Sequence, residues 1–266
     1  MSEERHGKLG RRGFLARLGA LGSVFALGGC NDINQTQWLP NFLDSAEHLS
    51  KWAQRLFAGS HALAPEFEKS DIAPTFRANG TLDPGTDEYA TLFNNGFKDW
   101  RLTVEGLVEH PLSLTLDQLR AMPARSQITR HDCVEGWSVI GEWKGPQLAH
   151  VLAMAKPKPA ARYAVFYCMD PMADQYTDNI EAAPFYYETL DLLEATHPQT
   201  ILAYELNGQT LPKENGAPVR VRAERQLGYK QAKYVERIVL VENYAHIQGG
   251  KGGYWEDQGY TAWGGI

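Results

Sequence analysis

The chain has 266 residues, 43% of them hydrophobic, with 26 Lys and Arg against 32 Asp and Glu, a net charge of −6. That size supports one large domain or two small ones, and the acidic balance argues against nucleic acid as a partner and against broad adhesion to anionic lipid. Three cysteines are too few for a disulfide framework, so each has to be accounted for separately.

The N-terminus reads as a targeting segment. Gly10 to Leu15 is GRRGFL, a twin-arginine pair, and the apolar, Gly- and Ala-rich run from Phe14 to Leu27 is too short for a comfortable membrane span. It ends Leu27-Gly28-Gly29-Cys30, similar to the lipobox at which bacterial lipoproteins are cut and acylated; a plain signal peptide or a single anchor helix is the alternative. Twin-arginine export carries folded proteins, which suits a chain that takes up a cofactor before crossing. The expectation is a signal over 1–29, a periplasmic location and a lipid anchor on Cys30. Without residues 1–29 the chain holds 21 basic and 30 acidic residues, a balance of −9.

Residues 30–72 read as a helical arm, with Leu43, Ala46, Leu49, Trp52, Ala53, Leu56 and Phe57 at helical spacing, and 73–266 as one body. In the body, Arg77 and Asn79 lie in an irregular loop ending at Gly80, of the kind that reaches a ligand. A helix carries Tyr89, Leu92 and Phe93. Trp100 to Gly106 alternates as a half-buried strand, and Leu114 to Leu119 is a short helix capped by Thr115 or Asp117. Gly145 to Ala155 reads as a helix and Tyr163 to Cys168 as a buried strand. Asp170 to Asn179 reads as a polar loop, and Tyr187 to Thr196 as a helix stopped at His197-Pro198. Thr200 to Leu206 is a strand entering a hairpin at Asn207-Gly208. The pattern implies an α+β domain built on a mixed sheet.

Chemistry concentrates in Gln127 to Trp143, QITRHDCVEGWSVIGEW, which sets Cys133 among Arg130, His131, Asp132 and Glu135 at a strand end. Two readings are open at this point. Cys133 is a small buried hydrophobe, or it is a thiolate ligand or nucleophile that Arg130 or a protonated His131 helps to hold deprotonated. No second cysteine lies two to four residues away and there is no HExxH, so a metal here would draw most of its ligands from outside the chain. A structural disulfide between Cys133 and Cys168 is a further alternative, leaving a non-catalytic lipoprotein.

Downstream, Asn215-Gly216-Ala217-Pro218 makes a turn, and Arg220, Arg222, Arg225, Lys230 and Lys233 crowd around two glycines. This reads either as a solvated basic face or as a phosphate cradle built from backbone amides and cations. Neither GxxxxGK[ST] nor GxGxxG is present. The glycine- and aromatic-rich tail, GGKGGYWEDQGYTAWGGI, either packs over a site or closes the fold.

HDCVEGWS, YYET with HPQTILAYELNG, LPKENGAPVR and LGYKQAKYV together resemble the sulfite oxidase family of molybdopterin enzymes, in particular its small bacterial methionine-sulfoxide reductase branch. The resemblance covers roughly Ala73 to the C-terminus. It implies Mo-molybdopterin as cofactor and two-electron oxygen-atom transfer as the reaction. Cys133 would be the one protein ligand to molybdenum. Asn79, Asn215, Arg220, Gly228, Lys230, Gln231 and Lys233 would hold the pterin or its phosphate, with Cys168 near it and Arg130 and His131 lining the metal side. Arg77 resembles an active-site arginine, and Glu135 and His131 are candidates for proton handling. Glu135 stands where the sulfite-oxidising members have no carboxylate, which puts sulfite in doubt and favours a reductase-like reaction on a sulfoxide-type or other small-molecule substrate, with oxidation of sulfite or another small oxyanion on the same cofactor as the alternative. The family's separate dimerisation domain and a CxxCH haem motif are absent, implying a monomer that exchanges electrons with a separate haem- or quinone-linked membrane protein.

Overall fold

A computed structural model describes residues 49–53, 56, 59, 62–172 and 183–266. The chain divides into two units, Met1–Ala53 and Gln54–Ile266. The twin-arginine pair, the lipobox Cys30 and most of the arm lie outside the described residues; within the arm, 49–53 are helical. No helix among the described residues is long and apolar enough to cross a membrane. The body begins before Ala73, since Phe67 N–H donates to Ile128 O at 2.9 Å.

The main sheet has five strands. β1 (Arg101–Gly106), β2 (Leu112–Thr115), β5 (Tyr163–Pro171), β6 (Phe185–Asp191) and β11 (Val235–Val241) stand in the order β2-β1-β11-β5-β6. β1 and β11 run parallel and the other pairs antiparallel, so the sheet is mixed as expected. Period-2 alternation puts Leu102 and Val104 of β1 inward, with Ile238 and Leu240 of β11 in the same core. α3 (Leu148–Ala155) adds Leu148, Val151, Leu152 and Ala155 to that core. Its helix begins at Leu148 and not at Gly145, because Gly145 and Pro146 still belong to β4 (Ser138–Pro146).

A second sheet, in the order β3-β4-β8-β9, carries the functional loop. β3 (Ala124–Asp132) pairs with β4 along its whole length. β8 (Glu205–Leu206) and β9 (Gln209–Thr210) form the hairpin that Asn207-Gly208 predicts, both turn residues at positive φ. β7 (Ile201–Ala203) pairs instead with β10 (Arg220–Arg222). Trp143, Ile201, Ala203, Leu206 and Leu211 form a smaller core beside this sheet.

Local signals set two helix starts. α1 (Asp87–Asn94) is capped by Thr86, whose Oγ1 accepts from Tyr89 N–H at 3.2 Å, and α2 (Leu116–Ala121) opens with a capping box between Thr115 and Gln118. The helix expected over Tyr187 to Thr196 is a correction. Phe185–Asp191 is a strand, and only α4 (Leu192–Ala195) is helical, capped by Asp191. The aromatic and β-branched run FYYETL suits a pleated, buried surface, and pairing with β5 overrides the helical reading. Asp170 and Pro171 still belong to β5; the rest of the expected polar loop, from 173 on, lies outside the described residues. The final short helix is α5 (Tyr254–Asp257).

Candidate active site

β3 ends at Asp132 and delivers Cys133 into a tight turn. Cys133 N–H donates to Trp137 O at 2.9 Å and Gly136 N–H to Cys133 O at 3.0 Å, with Gly136 at φ +86°. The turn leaves the thiol on the floor of a cleft of about 680 Å³, walled by the 79–83 loop, Glu135, Asp170, Gly228, Gln231, Lys233 and the rings of Tyr186, Tyr229, Trp255 and Tyr260. Cys133 is 9% exposed. Burial, helped by the Glu135 carboxylate, pushes its thiol up, and the backbone amides of Glu135 and Val134 and the charge of Arg77 pull the other way. Cys133 and Cys168 are both free thiols, so the disulfide alternative is not formed.

Arg77 and Glu135 stand together at the mouth. The Arg77 guanidinium lies 4.5 Å over the Trp137 ring and 3.9 Å from Glu135 Oε2, the oxygen that also accepts from Trp137 Nε1–H at 2.8 Å. Both side chains are largely exposed, so the ion pair itself adds little stability. The loop behind Arg77 is anchored by Phe76, which lies edge-on to Trp143 at 4.9 Å.

His131 is reassigned. It is fully buried, with Nδ1 2.9 Å from Arg222 Nη1, and burial first, then Arg222 and Arg220, hold its imidazole neutral well below the usual range. A side chain that stays neutral and sealed supports the cleft floor and does not carry protons to it. Arg130 is also corrected: alternation along β3 turns it to the opposite face, where its Nε–H donates to Asp132 and it lines a separate cavity of about 270 Å³ with Leu63, Phe67 and Trp263. Cys168 lies within β5, 1% exposed, behind the cleft and not among its lining residues, and burial pushes its thiol well up.

The basic cluster divides. Lys230 is sealed between Glu188 and Glu256, Arg222 is paired with Glu224 and Arg225 with Glu194. These three cations are therefore spent inside the protein, which removes the Lys230 ammonium from the expected phosphate contacts. Arg220 differs: its Nη1 and Nη2 donate to the carbonyls of Asn215 and Gln231 at 3.1 Å each, and its buried Nε has no partner. Lys233 lines the cleft and donates to the carbonyls of Asn79 (2.7 Å), Glu214 (2.9 Å) and Thr81. Burial, and then Arg220, bring its ammonium down to about 7. An anion placed beside Lys233 would favour its charged form, whose three N–H bonds go to the carbonyls of Asn79, Thr81 and Glu214.

Gly228 is fixed by packing. A Cβ there would lie 2.7 Å from the His131 ring. Gly228→Ala is expected to cost about 1–3 kcal/mol, read as a lower urea midpoint, and to lower cofactor occupancy, since the cleft wall and its floor are pushed apart.

Two lining residues of the cleft carry buried polar atoms without partners, Asn79 Oδ1 and Gln231 Oε1; Asn215 Nδ2 and Arg220 Nε are left open behind the lining. Buried polar groups are ordinarily satisfied, so acceptors left open on the cleft lining fit a polar ligand with N–H groups to donate. A pterin meets those acceptors, and a free thiol on the floor meets its metal. Among the described residues no three His, Cys, Asp or Glu side chains cluster to hold a metal ion. Cys133 therefore fits as a single protein ligand to a metal whose other ligands come with the cofactor.

Sequence reasoning missed Thr81, Asp170, Tyr186, Tyr229, Trp255 and Tyr260 as lining residues. The aromatic tail was the available signal, but spacing alone does not say which rings reach a cleft.

A mixed-sheet domain presenting one free cysteine thiol in a cleft of about 680 Å³ fits a cofactor-dependent redox enzyme. Residues 90–247 match the model of the oxidoreductase molybdopterin binding domain. The chain is 36% identical over 255 residues, 96% of its own length and 87% of the relative's, to an Azospira oryzae protein named "Putative protein-methionine-sulfoxide reductase subunit YedZ1". It is 40% identical over 219 residues, 73% of its length, to the protein-methionine-sulfoxide reductase catalytic subunit MsrP of Ralstonia nicotianae, of which it spans 64%. Among solved structures it is similar to the sulfane dehydrogenase SoxCD of Paracoccus pantotrophus, at 22% identity and a TM-score of 0.49, over 57% of this chain and 40% of that one. The chain belongs to the sulfite oxidase-type family of molybdopterin-dependent oxidoreductases and is a reductase-like enzyme of that family.

Proposed function

We propose that the protein reduces methionine sulfoxide held in polypeptides, in the periplasm, after twin-arginine export and lipid attachment at Cys30, with electrons from a separate haem- or quinone-linked membrane subunit. The observation that carries the reading is the free Cys133 thiol in a cleft lined by Glu135 and by the unsatisfied polar atoms of Asn79 and Gln231. Molybdenum bound through Cys133 with its pterin would supply the two electrons of oxygen-atom transfer. Asn79, Asn215, Arg220, Gln231 and Lys233 would hold the pterin and its phosphate.

Reduction of R–S(O)–CH3 to R–S–CH3 consumes two electrons and two protons and releases water. Glu135 is the ionisable side chain at the mouth suited to hold one of those protons. Its bonds to Arg77 and Trp137 both fall on Oε2, so Oε1 carries neither. Arg77, stacked on Trp137, orients that carboxylate and limits its motion. The carboxylate also disfavours an anion such as sulfite.

Elemental analysis of protein exported from a host that makes the cofactor is expected to give near-stoichiometric molybdenum. Steady-state assays are expected to show turnover of a methionine-sulfoxide peptide and none of sulfite; sulfite turnover in place of sulfoxide turnover would overturn the substrate reading. Glu135→Gln is expected to lower turnover and flatten its pH profile with molybdenum content unchanged, and an unaltered profile would remove Glu135 from proton handling.

A further inference from the structure

The walls of the cleft are chemically unlike. Unsatisfied polar atoms on the lining belong to Asn79 and Gln231, whereas the wall made by Tyr229, Trp255 and Tyr260 presents rings. Tyr260 stacks on Trp255 at 5.3 Å with 25° between the planes and meets Tyr229 edge-on at 5.2 Å. The corner is held in shape by Tyr260 N–H donating to Trp255 O at 2.9 Å. The Tyr229 hydroxyl donates to Thr261 O, also at 2.9 Å, so it is turned out of the cleft and leaves its ring as the exposed chemistry. The corner is mostly ring surface, with the Trp255 Nε1–H and the Tyr260 hydroxyl as its remaining polar groups. The rim beside it is apolar: Leu82, Val134 and Tyr260 are 57%, 46% and 38% exposed, and all three line the cleft.

We infer that Tyr229, Trp255 and Tyr260 form the specificity wall that receives the Cγ–S–Cε end of an oxidised methionine, and that Leu82 and Val134 contact apolar side chains flanking it in the polypeptide. This inference rests on the reading of the protein as a methionine-sulfoxide reductase and names the residues that choose the substrate. Sulfur and its attached methyl and methylene groups make favourable contacts with aromatic ring edges at about 5 Å, and the cleft-facing side of these packed rings is the surface that offers such contacts. A small oxyanion without carbon would lose hydration against the same rings and gain nothing. The exposed apolar rim favours a methionine sulfoxide in an unfolded or extended segment, where neighbouring residues are free to reach Leu82 and Val134.

The test uses the molybdenum-loaded enzyme and an acetylated, amidated methionine-sulfoxide peptide with leucine on both sides. Tyr260 is partly exposed, so Tyr260→Ala leaves the core intact. It is expected to raise KM about five- to tenfold and to weaken binding of the peptide by a similar factor in calorimetry without reductant, with kcat and molybdenum content unchanged. Tyr260→Phe is expected to restore both. Leu82→Ser is expected to raise KM for the leucine-flanked peptide and not for a glycine-flanked one. Unchanged KM and binding in Tyr260→Ala would overturn the inference, as would a loss of kcat and molybdenum with KM unchanged, which would place Tyr260 in the cofactor's seat. A loaded wild-type enzyme inert to the peptide would overturn this inference together with the functional reading; wild-type turnover with a normal Tyr260→Ala overturns this inference alone.

Discussion

Cys133→Ser is expected to lower turnover by at least about a hundredfold while leaving the fold in place. Loss of a partner to a metal ligand alone costs ten- to a hundredfold, and here the ligand itself is removed. Serine keeps the size of the side chain but has no thiolate to offer a metal. The turn survives because its bonds are made by backbone: Cys133 N–H to Trp137 O and Gly136 N–H to Cys133 O. The stability read from urea unfolding should therefore fall by about 1 kcal/mol, the ordinary cost of a single buried substitution that opens no cavity. Molybdenum content is expected to persist, because Asn79, Asn215, Arg220 and Gln231 would hold the pterin independently of the thiol, while the metal's electron paramagnetic resonance signal changes. Wild-type turnover in the serine variant would sink the ligand assignment.

Lys230→Met is expected to be the most destabilising single change, at about 3–5 kcal/mol. The Lys230 ammonium contacts Glu188 and, at 2.5 Å, Glu256 Oε1, and all three side chains are almost completely buried. Burial alone would lower the lysine, but Glu188 and then Glu256 outweigh it and hold the ammonium charged. Burial, and then the charge of Glu256, push the Glu188 carboxyl well up even with the lysine present. Removing the cation leaves two carboxylates that must neutralise or stay charged in a dry site. The sign of the pH dependence follows. The folded variant retains protons that the unfolded chain, with ordinary carboxyls near 4.3, has already released, so acidification favours the folded state. The deficit against wild type is expected to shrink as pH falls from about 8 towards 5, measured by urea unfolding at each pH. Adding Glu188→Gln and Glu256→Gln to Lys230→Met is expected to recover most of the loss. A deficit independent of pH would mean that packing, and not charge, dominates the site.

The two predictions separate roles that look alike in sequence. Lys230 and Lys233 are three residues apart in LGYKQAKYV, yet one neutralises a buried carboxylate pair and the other lines the cleft and ties down the 79–81 loop. Nothing local distinguishes them. The partners of Lys230 lie 42 and 26 residues away, and the carbonyl acceptors of Lys233 on the loop lie more than 150 away.

By itself the sequence determined what short-range physics controls. Thr115 with Gln118 starts a helix, Asn207-Gly208 turns a hairpin, alternation draws β1, and a lone cysteine among charges marks the end of β3 as a site. Strand parity even contained the answer for Arg130, which is one residue out of phase with His131 and so faces the other side. Tertiary structure decided the rest. Phe185–Asp191 became a strand because β5 was there to pair with it, and His131 is held neutral because the fold buries it and then sets Arg222, 91 residues away, against its ring. The aromatic corner exists because the tail returns Trp255 and Tyr260 to Tyr229. Capping, turn and alternation energies act within a few residues and can be read along the chain. Burial, ion pairing and the walls of a cleft depend on which distant segments meet, and only the folded chain brings them together.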